Sequence, residues 1–582
     1  MGRKPTSRLN PLENHHFSIH SGALSMFFHN GFLRYIKHRE LEVIRTIGFA
    51  VRDANWETVP LKISNVQYTK KKTGFVIRYT GTCQQADIDF RWKCFINLED
   101  NQLSFEIEGI VFSEFETNRI GFFLLHPIEN YTGLPVKVTH SDGKIEKGVF
   151  PELISPHQHF KDIARMEWSL AHTTTYKLLF EGAQYEMEDQ RNWLDASYKT
   201  YCTPLHLPFP VTVQEGHKVK QGIDFNFDSE NNIAPPQTKE EYNVTLKAIY
   251  SGLPLIGIEA NLEHLDQWAV DHIAALNLGF LRIELKLGRL DWKTVLQQKI
   301  VQANKLDLPI ELVIFTRVQQ QPIVQLLEDF PWDSVVVRHI LLIDDAGKTT
   351  GEKFMASVLP QIRKLFPKTP IGGGTDYYFT ELNRNRPPSN LLDFYSFSAN
   401  PQVHATDDLS ILETNKTFTD VVLSAQQFSG GKPIHISPVT LRPRSNPNAT
   451  DSHTLDTMVK ADLRQKNLLT AQWMLGAVKY MTEAGTASAC FFETLGDFGI
   501  LNPQDSELFP VYEVFAFLGR HTEAELVHSC SSHPLLFDAL VLKKQGVLYY
   551  ALANYSKEHL TISVDRKSVS LKGLQLYFSD EF

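Results

Sequence analysis

The chain has few cysteines, no excess of basic charge and no long apolar run, and each absence excludes a class of protein. Its five cysteines are odd in number, scattered over 582 residues and form no CxxC pair, which is typical of reduced thiols in a cytosol. The net charge of -9 argues against nucleic acid as a main partner, because phosphate binding requires a basic field. No apolar run is long enough to cross a bilayer, and the N-terminus carries no apolar signal region. The sequence therefore predicts a soluble cytoplasmic protein with no nucleic-acid or membrane partner, and it does not indicate an oligomeric state.

Several familiar catalytic motifs are also missing. The chain has no GxSxG elbow and no HExxH helix, so serine-hydrolase and zincin chemistry lack support. The glycines at 372–374 lack the GxGxxG and GKS/T frames of a phosphate loop. His157 and His159 form an HxH pair, but a metal site needs further ligands nearby. The sequence therefore predicts no metal and no cofactor.

The hydrophobic pattern divides this chain, which is too long for one core, into three regions. Residues 1–245 carry apolar residues at a period of two, for example Phe90 and Trp92, and predict an N-terminal β-sandwich. A polar segment with two prolines at 228–243 marks the boundary. Residues 526–582 return to a β pattern and predict a small C-terminal β domain, which either packs on the middle region or completes the sandwich.

Short apolar runs alternate with amphipathic helical segments in the middle region, residues 246–525. Continuous apolar strands separated by helices indicate a parallel sheet, and eight such units favour a central (β/α)8 TIM-like barrel over an open sheet. The overall class is thus a multidomain α/β plus β protein with a layout like that of glycoside hydrolases. The eight runs lie at 255–260, 280–287, 309–315, 335–343, 370–375, 394–399, 433–439 and 488–493.

Two carboxylates near the ends of predicted barrel strands are candidate bases, because active groups of such barrels lie at these ends. Glu493 closes the run ACFFE, and burial there should raise its pKa and make it a better base near neutral pH. The alternative is an ion pair with an arginine that only holds the barrel mouth together. Glu381, which follows the fifth strand, is the second candidate.

A histidine and two arginines follow the sixth and seventh predicted strands. The ring of His404 suits proton transfer, and Asp407 lies at a spacing that permits it to orient the ring. Arg442 and Arg444 flank Pro443 in an extended segment, so both should point to one side and bind a carboxylate or an oxyanion. The alternatives are a structural histidine and arginines that cap a helix or join two domains.

The segment EMEDQRNWLDASYKTY at 186–201 mixes acids, bases and aromatic rings. Such a mixture suits a surface that holds a small polyhydroxylated molecule, whereas a plain solvated helix face would separate its charges from the rings. The alternative is a salt-bridged loop that only attaches the sandwich to the barrel.

A barrel flanked by β-sandwiches is the layout of many glycoside hydrolases, which need two carboxylates at the bond. In the large retaining clan an Asn-Glu pair ends strand four and a Glu ends strand seven. Here strand four ends in Asp344-Asp345 and strand seven in Val439-Thr440, so neither position carries Glu. This absence weakens the assignment to the glycoside hydrolases. A glycoside hydrolase acting on a pentose-containing glycoside is kept as the alternative function.

Six segments resemble the signatures of D-apionate lactonases, which belong to the bacterial catabolism of the branched pentose apiose. The resemblance extends over long stretches of the chain and implies that the substrate is D-apionolactone, a small sugar lactone, and that the product is D-apionate. The segments are ISPHQ at 154–158, EMEDQRNWLDASYKTY at 186–201, GGGTDYYFTELNRNRP at 372–387, NPQVHATD at 400–407, SPVTLRPRSNPNAT at 437–450 and FETLGDFG at 492–499.

Lactone hydrolysis is acyl transfer to water, which needs a base, donors for the oxyanion and an acid for the leaving alkoxide. We expect Glu493 or Glu381 to be the base, Arg442 to stabilise the oxyanion, with Arg384 as a candidate second donor, and His404 to protonate the ring oxygen. Candidates for binding the substrate are the charged and amide side chains of the same loops and of the 186–201 segment. These are Asp376, Asn383, Arg384, Asp407, Arg444, Glu188, Asp189 and Arg191.

Overall fold

The computed structural model describes residues 16–170, 174–229, 241–318, 323–328, 330–446 and 460–579. The described residues form two compact units. The first contains those up to Gln190 together with 196–229, and the second contains Arg191–Asp195 and the residues from 241 onward. Among the described residues, no helix is both long and apolar enough to span a membrane. The polar segment predicted as a boundary at 228–243 falls largely outside the described residues.

The first unit is made of β-strands. They are β1 His16–Ser21, β2 Leu24–His29, β3 Phe32–His38, β4 Leu41–Arg52, β5 Leu61–Lys70, β6 Gly74–Gln85, β7 Ile88–Glu99, β8 Gln102–Val111, β9 Phe115–Thr117, β10 Arg119–Pro127, β11 Pro135–His140, β12 Ile145–Val149, β13 Phe160–Leu170, β14 Thr174–Glu181, β15 Tyr185–Asp189, β16 Ser197–Tyr201, β17 Val211–Val213 and β18 Lys218–Ser229.

The large sheet of this unit folds over to make a sandwich. Strands β4 and β7 are far apart in the strand order of the sheet. Nevertheless the rings of Phe49 on β4 and Trp92 on β7 lie 5.0 Å apart in one hydrophobic core. Phe105 on β8 and Phe122 on β10 meet in the same way at 5.1 Å. Alternate residues of β7 are buried because one face of each strand packs on this core, which confirms the predicted β-sandwich.

The second unit contains a parallel barrel and a further sheet. Its elements are β19 Tyr242–Gly252, β20 Leu255–Glu259, α1 Gln267–Ala274, β21 Phe280–Lys286, α2 Trp292–Leu306, β22 Ile310–Thr316, α3 Ile323–Leu327, β23 Val337–Asp344, α4 Glu352–Leu365, β24 Ile371–Gly374, α5 Phe379–Arg384, β25 Tyr395–Ala399, α6 Asp408–Glu413, α7 Thr417–Ser429, β26 Ile434–Val439, α8 Leu468–Glu483, β27 Ser488–Leu495, β28 Gly499–Asn502, β29 Glu507–Leu508, α9 Val511–Arg520, β30 Glu525–Ser531, β31 Phe537–Lys544, β32 Val547–Asn554, β33 Leu560–Val564, β34 Lys567–Leu571 and β35 Leu576–Phe578.

Strands β20 to β27 pair in order and in parallel, and β27 also pairs with β20, so the sheet closes into an eight-stranded barrel. Each of the eight apolar runs seen in the sequence overlaps one of these strands, which confirms the predicted barrel. In a closed parallel barrel all carboxyl ends of the strands lie at one face, and the loops that follow them build the site.

Strand β19 and strands β30 to β35 form a seven-stranded sheet next to the barrel. The barrel helix α8 packs on this sheet. Lys479 of α8 donates to Asp538 of β31 in a buried ion pair, and Gln472 donates to the carbonyl of Asn554 at 2.9 Å. Of the two arrangements considered for the C-terminal strands, packing on the barrel is therefore the one observed.

Candidate active site

A cavity of about 160 Å³ lies at the carboxyl ends of the first, seventh and eighth barrel strands. This volume is below the range of roughly 300–1,000 Å³ that is common for drug-sized ligands, so the cavity suits a smaller molecule. Its lining mixes carboxylates and arginines with two aromatic rings. The lining residues are Glu259, Thr440, Leu441, Arg442, Pro443, Arg444, Asp462, Gln465, Phe492, Glu493 and Phe498.

A β-bulge in strand β27 brings Glu493 to this cavity. Gly257 of β20 is the partner of Cys490, and Glu259 is the partner of Glu493, so two steps on β20 span three on β27. The backbone of Phe492 has a φ of 57°, in the left-handed region that accommodates such an extra residue. Without it, strict alternation from Cys490 would turn Glu493 to the opposite face.

Glu493 has a pKa suited to proton transfer near neutrality. Burial of the carboxyl and, to a smaller extent, the charge of Glu259 raise the pKa of Glu493 from 4.5 to about 7. Lys299, Arg444 and a hydrogen bond with Asn261 act against this shift without cancelling it. A carboxyl with a pKa near the working pH takes and returns a proton readily. The sequence expectation of a desolvated Glu493 agrees with this environment.

Arg282, which is fully buried on β21, holds two carboxylates beside the cavity. Its Nη1 lies 2.7 Å from Glu259 Oε2 and 2.7 Å from Glu284 Oε1. Burial alone would raise the pKa of Glu284, but Arg444 and Arg282 outweigh it and keep that pKa well below 4.5. Glu284 is therefore ionised and structural, and it is not a proton donor at neutral pH.

Carboxylates hold Arg444 in position in the lining of the cavity. Arg444 donates to Glu284 and, through Nη1, to Asp376 Oδ1 at 2.8 Å. The Asp376 carboxyl is buried, and this burial raises its pKa even though Arg444 and Arg282 oppose the shift. Arg444 and Asp376 were both predicted to bind substrate, and the structure brings them into one network at this end of the barrel.

Arg442 keeps hydrogen-bonding capacity for a ligand. Its Nε donates to Asp462 Oδ2 at 3.2 Å, and the side chain is 42% exposed. Its terminal nitrogens make no hydrogen bond within the described part of the chain. Asp462 is also fixed by Arg464, whose Nη2 lies 2.7 Å from Oδ2. Asp462 thus orients Arg442 while its two terminal nitrogens, with four N–H donors, remain for a group in the cavity.

His404 and Glu381 do not line this cavity. His404 follows β25, and its Nδ1 lies 2.6 Å from Asp195 Oδ2. The predicted partner Asp407 instead caps helix α6 and accepts from the backbone N–H of Ser410 at 3.2 Å. The expectation that Asp407 orients His404 is therefore wrong, because the ring is paired with Asp195, a carboxylate distant in sequence. Glu381 is buried in α5, with the Lys348 ammonium 3.6 Å away.

Other predicted binding residues also have partners of their own. Asn383 donates to Asn192 at 3.1 Å, and the Arg384 guanidinium lies 5.2 Å from the centre of the Trp193 ring. Arg191 is fully buried, and Nη1 lies 3.6 Å from Asp420 Oδ2.

Two predicted binding residues belong to the first unit. Glu188 is 3.4 Å from the Lys199 ammonium, and Asp189 accepts from the backbone N–H of Ser155 at 3.3 Å. Within that unit they make structural contacts, and the substrate-binding role expected of them stays a prediction.

Four charged residues of this end of the barrel have no role predicted from the sequence: Glu259, Arg282, Glu284 and Asp462. A signal for three of them was present, because Glu259 ends the first strand and Arg282 and Glu284 alternate along the second. Charged residues on one face of an otherwise apolar barrel strand point into the barrel, where they need partners. Asp462 carries no such signal, since it lies well beyond the end of the seventh predicted strand in the sequence.

The fold places the protein in the (β/α)8-barrel class, with a cavity and a carboxyl of raised pKa, that of Glu493, at the strand ends. The chain belongs to the D-apionate lactonase family. The family model for the N-terminal domain matches residues 7–230, and the model for the TIM barrel domain matches residues 255–523.

Known relatives and solved structures are similar to this chain to different degrees. The chain is 30% identical over 514 residues to a D-apionate lactonase of Brucella anthropi, and the match covers 83% of each protein. A glycoside hydrolase family 30 subfamily 8 xylanase from Clostridium acetobutylicum has 10% identity and a TM-score of 0.39, covering 58% of this chain and 93% of its own. A putative aldose 1-epimerase from Escherichia coli has 9% identity and a TM-score of 0.26, covering 37% of this chain and 99% of its own.

Proposed function

We propose that this protein hydrolyses D-apionolactone to D-apionate in apiose catabolism, with Glu493 as the general base. Membership of the D-apionate lactonase family supports the reaction. The observation that carries the assignment of the base is the partly buried Glu493 carboxyl, with a pKa near 7 beside a small polar cavity.

In the first step Glu493 takes a proton from a water molecule as the water oxygen attacks the lactone carbonyl. The carbonyl π electrons move onto oxygen, and this oxyanion accepts hydrogen bonds from the terminal nitrogens of Arg442. Preorganised donors of this kind stabilise the tetrahedral intermediate more than the planar ester. Because the guanidinium is already oriented by Asp462, little reorganisation accompanies the charge that develops.

In the second step the intermediate collapses, and the bond from the carbonyl carbon to the ring oxygen breaks. The leaving alkoxide takes a proton, and the acid product ionises. His404 was expected to be that acid, but it does not line the cavity. We therefore assign the return of the proton to the protonated Glu493, which closes the cycle without a second acid. No covalent intermediate on the protein is required.

The test is proton release at constant pH from D-apionolactone, comparing the wild type with Glu493→Gln. Loss of a general base lowers the rate by about 10²–10⁴-fold. Glu513→Gln, at an exposed position of helix α9, is the matched control and should keep wild-type turnover. Near-native turnover of Glu493→Gln would remove Glu493 from its role, and absence of turnover in the wild type would reject the substrate.

A glycoside hydrolase is the second candidate, since Glu259 and Glu493 place two carboxyl groups at one cavity. Against it, β23 ends in Asp344 and β26 in Val439, so the usual glutamates of that chemistry are absent from strands four and seven. Release of reducing sugar from an apiose-containing glycoside, with no acid released from the lactone, would favour this candidate.

A cytoplasmic location is part of the proposal. All five cysteines are unpaired, and four of them are buried. Free thiols are the usual state in a reducing compartment.

A further inference from the structure

Three side chains meet inside the barrel near the amino ends of the strands, opposite to the catalytic cavity. Glu311 is the second residue of β22, His339 the third of β23 and His435 the second of β26. One ligand atom from each lies within 4.8 Å of the other two. We propose that Glu311, His339 and His435 form a binding site for a divalent transition metal, with zinc as the simplest occupant.

The donor set is suited to such an ion. Two imidazoles and one carboxylate are ligands that zinc and other first-row divalent metals accept, with further positions filled by water or protein oxygen. The three residues come from three different strands, two of them adjacent and one across the barrel interior. An ion held by all three would join β26 to β22 and β23 through the core.

The cluster has unused hydrogen-bonding capacity. The Nδ1 atom of His435 is buried and has no hydrogen-bond partner among the described residues. Its neighbour across the strands is Ser488, whose Oγ is likewise buried without a partner in the part of the chain that the structure describes. A buried polar atom without a partner costs about 1–3 kcal/mol. A bound ion with a water ligand would satisfy both atoms.

The remaining contacts hold the ligands in place. The His435 ring stacks on Phe394 with centroids 4.0 Å apart, and it meets His339 edge-on at 5.0 Å. Glu311 Oε1 accepts from Ser437 Oγ, which leaves Oε2 directed at His339. Side chains fixed in this way by neighbouring groups are typical of the surroundings of metal ligands.

Metal binding changes one contact. Glu311 Oε2 and His339 Nε2 are 2.7 Å apart and form a hydrogen bond. At zinc–ligand bond lengths of about 2.0–2.1 Å, tetrahedral ligands lie roughly 3.3 Å apart. The ion therefore takes the place of this hydrogen bond, the two atoms separate by about half an ångström, and the ring proton of His339 lies on Nδ1 while Nε2 coordinates the ion.

The experiment measures the number of metal ions bound per full-length chain. Protein is produced with and without added Zn²⁺, and the bound metal is measured by mass spectrometry. Metal-free protein is then titrated with Co²⁺, whose visible absorption reports a four- or five-coordinate site. One equivalent per chain, with a raised thermal midpoint and without any substrate present, is the expected result. Less than about 0.1 equivalent of either metal on the folded wild type would overturn the proposal.

Two variants identify the ligands. His435→Asn and Glu311→Gln should weaken Co²⁺ binding by more than about tenfold, since even changes around the ligands have effects of 10–100-fold. His264→Asn, at an exposed position, is the matched control and should bind as the wild type does. Unchanged binding in both ligand variants overturns the assignment. The metal content of the wild-type protein decides whether the site exists, so the proposal stays testable even if a variant fails to fold. Neither measurement depends on lactonase activity.

Discussion

Glu259 and Glu493 lie opposite each other where the first and last strands of the barrel meet, and both side chains line one cavity. Two carboxyl groups in such a position cannot ionise independently, because each charge disfavours the other. Arg282 is bound to Glu259, which leaves Glu493 as the member that holds its proton up to neutral pH. The two carboxyl groups therefore differ in role because Arg282 is paired with Glu259.

The pH profile of kcat/KM should follow the ionisation of Glu493. Since the base must be ionised, the rate should rise with pH and reach half its plateau at about pH 7. In Glu259→Gln the neighbouring negative charge is lost, and this loss lowers the pKa of Glu493. The acidic limb should move to lower pH, as seen in initial rates between pH 4 and 9.

The outcome that contradicts this prediction is a Glu259→Gln limb at the wild-type pH or above it. Glu507→Gln, at an exposed position outside the cavity, serves as the control and should leave the profile in place. A uniform fall in rate without a shift would mean that Glu259 contributes through binding and not through the pKa of Glu493.

Glu493 should also make the fold less stable as the pH rises. Its pKa in the folded protein is about 7 against 4.5 in the unfolded chain, so the folded state holds a proton that the unfolded state has lost. The resulting stabilisation is fully present below about pH 4.5 and is lost as the pH rises through 7. At about 1.4 kcal/mol for each pKa unit, the loss is on the order of 3 kcal/mol.

Glu493→Gln removes this ionisation. Its free energy of unfolding should exceed that of the wild type at pH 8 and approach it at pH 4.5, as measured by urea denaturation at both values. A variant that is less stable than the wild type at pH 8 would show that the hydrogen bond with Asn261 outweighs the burial of the charge.

Arg442 should act mainly on kcat. Arg442→Ala removes the donors assigned to the oxyanion, and loss of such donors lowers kcat by about 10²–10³-fold. The fold should persist because Asp462 stays bound to Arg464 at 2.7 Å. Steady-state kinetics on D-apionolactone, with the exposed Arg566→Ala as the control, separate this effect from one on KM. A rise in KM alone would assign Arg442 to ground-state binding.

The barrel could be predicted from the sequence because its strands are continuous apolar runs, and this pattern does not depend on distant residues. The grouping of side chains depends on register, which the pattern does not contain. The bulge at Phe492 determines which way Glu493 faces, and nothing in ACFFE indicates an extra residue. The partner of His404 could not be predicted either, because Asp195 is 209 residues away in the chain. The family resemblance supplied the substrate, which spacing and composition do not encode.

Arg282 should be the costliest side chain of this site to remove. It is fully buried and lies within 2.7 Å of both Glu259 and Glu284, so Arg282→Met leaves two buried carboxylates without their shared cation. Removing one partner of a buried ion pair destabilises a protein by about 3–5 kcal/mol. The matched control is Arg289→Met, because that arginine forms an exposed pair with Asp291, and such pairs contribute about 0–1 kcal/mol. Urea unfolding at pH 7 measures both changes, and equal effects of the two substitutions would show that Arg444 alone neutralises the interior carboxylates.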